Sequence, residues 1–150
     1  MIETGTRALI GAAFGPTAEG ETSYACRLLH LLRPDMLVLW DKGFDSNAFL
    51  AAAVTDTAAQ VLGRLRSNRC MPVLTRLVDG PYLSVIGTVN VRVIDAQIAV
   101  TCADGTSFTG SYRLVTTLID ARRYPATVLV VSITSGGNTN RRTTRSATRS

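Results

Sequence analysis

This sequence is short of the residues that most often announce chemistry. It holds one histidine, His30, and one tryptophan, Trp40. His30 lies among leucines with no serine or cysteine nucleophile signature nearby, and no hydroxyl has a triad context, so acyl-transfer chemistry is not legible. The three cysteines, Cys26, Cys70 and Cys102, are far apart and odd in number. That argues against a disulfide framework or a zinc cluster and for reduced thiols. No apolar run approaches the roughly 20 residues of a membrane helix. The start, Met-Ile-Glu-Thr-Gly-Thr-Arg, lacks the basic-then-apolar order of a signal peptide. The expectation is a cytoplasmic chain with no membrane partner.

Acidic residues are missing after Val131, where Arg141, Arg142, Arg145 and Arg149 stand in a Ser/Thr/Gly/Asn-rich stretch. Without those four arginines the net charge of +5 falls to +1. The body is nearly neutral, so its isoelectric point alone does not mark a DNA-binding domain. What is present is a hydrophobic content of 46% in 150 residues, enough for one core of ordinary domain size.

Apolar patterning divides the chain. Ala8 to Phe14 reads as a buried strand and Glu19 to Leu32 as a helix stopped by Arg33-Pro34. Met36 to Trp40, MLVLW, reads as a strand buried on both faces. Asp45 or Ser46 can cap a helix over Asn47 to Val54, and Ala59 to Leu65 reads as another strand. This alternation predicts an α/β layer with some parallel pairing. From Pro72 the texture changes. Val73 to Val78, Tyr82 to Ile86, Val89 to Ile94, Ile98 to Cys102 and Phe108 to Leu118 favour strands, with hairpin signals at Asp79-Gly80 and Asp104-Gly105. Arg122 to Val131 suits either a strand or a buried helix. The remainder carries too little apolar surface to offset its ordering entropy and reads as disordered.

Asp41 is the sharpest local signal. A carboxylate at the carboxyl end of an apolar strand, before a glycine turn, lies where open α/β sheets place their sites. It suits a magnesium ligand, and it equally suits a simple polar turn. The longer string LLRPDMLVLWDKGFDSNAFL resembles the region around the second catalytic aspartate of bacterial insertion-sequence DDE transposases, in the group with a Tyr-Arg-Glu-Lys signature. The matching D-x-G-F motif is Asp41, Gly43 and Phe44. GTRALIGAAFGPTAEGET and VTCADGTSFTGSYRLVTTL are also similar to members of that family, and the resemblance runs from about Gly5 to Val131.

The resemblance implies an α/β fold: a partial RNase H-like core over residues 1–71, an antiparallel β-rich insertion with its return strand over 72–118, and the end of the core over 119–131. Residues 132–150 are expected to be a disordered, out-of-frame tail. It implies DNA cleavage and strand transfer at transposon ends, with three carboxylates holding two Mg2+ or Mn2+ ions. Asp41 would be the second carboxylate and a metal ligand. The first belongs on a strand before Ala8, where Glu3 does not match the motif. The third belongs after Val131 in Y-x-x-R-x-x-x-E-x-x-x-x-x-x-K, which is absent in frame. Joining the last base of each codon to the first two of the next lets Ser132-Ile133 encode tyrosine and Thr139-Asn140 encode glutamate. The tail then permits YHQRWEHESAYYALRHTI, with arginine in the final lysine position.

Arg64, Arg66 and Arg69 form a basic cluster, and Lys42 adjoins Asp41. By the resemblance all four could meet DNA phosphates, although a solvated strand end explains them as well. With one recognisable carboxylate of three, the chain is expected to be inactive, with weak or absent metal binding. The alternatives are a noncatalytic inhibitor that binds DNA or pairs with an intact transposase, or a remnant without selected function.

Overall fold

The computed structural model describes residues 11–13, 15, 20–101 and 104–135. The elements are α1 (Glu21–Leu28), β1 (Leu37–Trp40), α2 (Asn47–Thr55), β2 (Gln60–Leu65), β3 (Thr75–Arg76), β4 (Tyr82–Ile86), β5 (Val89–Thr101), β6 (Ser107–Thr116) and α3 (Ala126–Ser135). The six strands form one mixed sheet in the order β1-β2-β6-β5-β4-β3. β1 and β2 are parallel, and every other neighbouring pair is antiparallel. The mixed α/β class expected from the sequence is the observed one.

Register fixes what each face buries. Trp40, Gly63, Val115, Val93 and Tyr82 lie opposite one another in a row across five strands. Opposed residues share a face, and this row belongs to a core with Phe49, Leu50 and Ala53 of α2 and with Leu29. On the opposite face Leu62, Ile94 and Leu114 pack with Leu118 and with Leu129 of α3. The sheet is therefore covered on both sides by short, largely apolar segments.

Local chemistry sets the element ends. Ser46 caps α2 by accepting from Phe49 N at 3.1 Å. Gly80 and Gly105 adopt φ of 103° and 84° at the two expected turns, the region that favours glycine. Gly87, at φ 60°, turns β4 into β5.

Three expectations are corrected. Gly11, Ala12 and Ala13 carry no strand, and the rest of Ala8–Phe14 lies outside the described residues. The segments 89–94 and 98–102 merge into one long strand, because β6 pairs with β5 continuously from Arg92 to Thr101. Lastly, residues 132–135, expected to be disordered, continue α3. Ala126, Leu129, Val130 and Ile133 recur at helical spacing and all belong to the second cluster. The Ser132 and Thr134 hydroxyls donate back to the Val128 and Val130 carbonyls, each at 3.0 Å. The remaining tail, 136–150, lies outside the described residues.

Arg92 is the least expected core residue. It is fully buried, and its Nη2 donates to the Tyr124 carbonyl at 2.6 Å. Its Nε and Nη1 have no hydrogen-bond partner among the described residues. Burial pushes the guanidinium pKa down, against the opposing pull of Asp79 and Asp120. The bond to Tyr124 ties β5 to the segment that leads into α3.

Candidate functional site

The carboxyl ends of the parallel strands β1 and β2 come out side by side, with Trp40 opposite Gly63. This is where an open α/β sheet gathers functional side chains. Asp41 follows β1 directly and starts a 3-10 turn over Lys42–Phe44. Its Oδ1 accepts from Lys42 N at 2.7 Å, which fixes the carboxylate against the turn. A depression of about 780 Å³ runs beside β1, lined by Tyr24, Leu28, Leu37, Trp40 and Phe44 with Asp41 on its wall. MLVLW, read as a strand buried on both faces, lies instead at the sheet's edge among the described strands, with Leu37 42% exposed.

The sequence-selected cations divide into two groups. Arg64 reaches across from β2 to Asp41, Nη1 to Oδ1 at 3.4 Å. Its guanidinium carbon stands 3.8 Å from the centroid of the Tyr112 ring, a stacked cation–π arrangement. Lys42 and Arg66 are exposed at the same end of the sheet. Arg69 is engaged within the fold. Its Nη1 is 2.7 Å from Oδ1 of Asp45, whose side chain is only 1% exposed. The approach is out of line for a hydrogen bond, so the contact is ionic, and both Asp45 Oδ1 and Arg69 Nε are buried without a hydrogen-bond partner among the described residues. Arg69 also donates to Asn47 Oδ1 and to the Asp45 carbonyl. A guanidinium held in this way braces the fold rather than offering itself to a phosphate.

Asp45 reads from the sequence only as an alternative to Ser46 for the cap of α2, and Tyr112 carries no sequence signal. Asp45 Oδ2 accepts from Arg66 N at 2.8 Å, locking the turn after β1 to the end of β2. Tyr112 lies two residues along β6 from Leu114, the residue opposite Arg64. That diagonal follows from the register, which composition does not disclose. Beyond them Arg113 grips Asp95 through two bonds, at 2.6 and 3.0 Å, and donates to the Arg69 carbonyl at 2.7 Å. The Asp95 hydrogen bond, with its charge, holds the Arg113 pKa above its ordinary value against some burial.

These residues do not fit a divalent-ion pair. No group of three His, Cys, Asp or Glu side chains converges among the described residues. Asp41 Oδ1 already faces the Lys42 amide and the Arg64 guanidinium. Two unit charges 4 Å apart near a protein surface interact by about 4 kcal/mol, and a divalent ion beside Arg64 would meet roughly twice that in repulsion. No helix of the described residues is long and apolar enough to cross a membrane.

No protein-family model, curated protein or solved structure matches this chain.

Proposed function

We propose that the chain is a fragment of an insertion-sequence DDE transposase core that can hold DNA but does not cut or join it. The observation that carries this reading is the D-x-G-F motif at Asp41, Gly43 and Phe44, inside a string that resembles the family's second catalytic segment. It is supported by the place of Asp41 at the carboxyl end of a parallel strand, with Lys42, Arg64 and Arg66 on the same end of the sheet. Phosphate contacts from such cations position a duplex without reading its sequence. Catalysis by the family's route needs three carboxylates around two ions. This chain brings one recognisable carboxylate, and a guanidinium stands beside it. A finer reading, binding that blocks an intact transposase at the same DNA, follows from the same surface.

Purified protein incubated with transposon-end DNA and Mn2+ is expected to yield no strand-transfer product above a no-protein control. Product that appears with the wild type and vanishes with Asp41→Ala would contradict the inactive assignment.

A further inference from the structure

We infer that Asp41 and Tyr112 hold Arg64 as a preformed phosphate-receiving group, and that this site takes nucleic-acid phosphate without a divalent ion. The identity of the ligand as DNA rests on the reading above; the geometry of the clamp does not.

Three observations build the site. The Arg64 guanidinium is pinned on two sides, by the Asp41 carboxylate through Nη1 and by the face of Tyr112. Its Nε and Nη2 have no hydrogen-bond partner among the described residues, and with the side chain 23% exposed they remain open to solvent. A planar guanidinium with one edge fixed and one edge free loses little conformational entropy when it meets a tetrahedral oxyanion. Lys42 and Arg66 lie exposed at the same strand ends, so the local field favours an anion there despite Asp41.

In this arrangement Asp41 is a positioning residue. Its carboxylate neutralises one edge of Arg64 and orients the other. A metal-ligand role would compete with Arg64 for the same carboxylate charge. The two roles differ in their response to Mn2+, which separates them experimentally.

The test uses the full chain and two probes. Mn2+ alone is titrated into wild type and Asp41→Asn and followed by the electron paramagnetic resonance of the free ion. The expected result is the same titration curve for both proteins. A Mn2+ site present in the wild type and lost in Asp41→Asn would overturn the inference. Separately, inorganic phosphate and then a short DNA duplex are added in EDTA while the Arg64 Nε–H cross-peak is followed by NMR. Both ligands are expected to shift it. Tyr112→Leu and Asp41→Asn should broaden it in the free protein, and Tyr112→Phe should restore it. An Arg64 signal unmoved by phosphate, or moved only when Mg2+ is supplied, would also overturn the inference. If phosphate shifts Arg64 and DNA does not bind, the clamp stands and the DNA reading falls. If DNA binds only with Mg2+ through Asp41, the clamp falls and the DNA reading stands.

Discussion

Arg69→Met is expected to destabilise the fold by about 3–5 kcal/mol, the cost of leaving one partner of a buried ion pair behind. Asp45 is nearly sealed from solvent, and Arg69 is the cation beside it. The backbone N–H of Arg66 satisfies Oδ2 but cannot neutralise the charge. Removing Arg69 also breaks its bonds to Asn47 and to the Asp45 carbonyl, which hold the start of α2 against the end of β2. Against a typical total of about 5–15 kcal/mol such a loss is large. Urea unfolding followed by circular dichroism measures it. The double variant Arg69→Met/Asp45→Leu removes both charges and should recover most of the loss. A single variant within 1 kcal/mol of wild type, on the order of a surface pair's worth, would mean that the pair is not buried in solution.

The second large effect is steric. A Cβ on Gly63 would stand 1.9 Å from Trp40 Cε2 and 2.3 Å from Nε1. The indole lies flat on the backbone of β2 because Trp40 is opposite Gly63 in the parallel register, and it is pinned from the other side by Phe49, edge to face at 5.4 Å. Neither the ring nor the strand can move without disturbing the row that continues through Val115 and Val93. Gly63→Ala should therefore cost about 1–3 kcal/mol by overpacking. Trp40 is the chain's single tryptophan, so displacement of the ring reads out as a red-shifted emission. Gly63→Ala/Trp40→Leu should regain stability over Gly63→Ala. Unchanged emission and stability in Gly63→Ala would show that the two strands are not paired in this register.

Much of the sheet was legible because period-two and continuous apolar runs mark strands whatever their partners are. Tyr82 to Ile86 and the strand ending at Leu65 fall where the pattern puts them. What the pattern could not give is pairing. It read MLVLW as buried on both faces because its run is wholly apolar, while the described strands leave it at the edge with Leu37 exposed. It set Arg69 beside Arg64 and Arg66 as one basic cluster. Alternation along β2 and the turn that follows send Arg64 to Tyr112 and Arg69 to buried Asp45. Composition assigned residues 132–135 to a polar tail, although Ile133 completes the apolar stripe of α3. Asp41 was found from a local motif, but its neutralising arginine depended on a contact 23 residues away in sequence.

The measurement that bears most directly on the proposed DNA-holding role is the fluorescence anisotropy of a labelled random-sequence duplex, titrated with protein in EDTA over a range of salt. Three phosphate contacts, from Lys42, Arg64 and Arg66, predict a slope of about −3 in log affinity against log salt. Each single alanine replacement should reduce the slope by about one without changing sequence preference. Arg69→Lys, at the bracing arginine, should leave the slope unchanged. Affinity and slope that survive Lys42→Ala/Arg64→Ala/Arg66→Ala, or the absence of any salt-dependent binding by the wild type, would contradict the account.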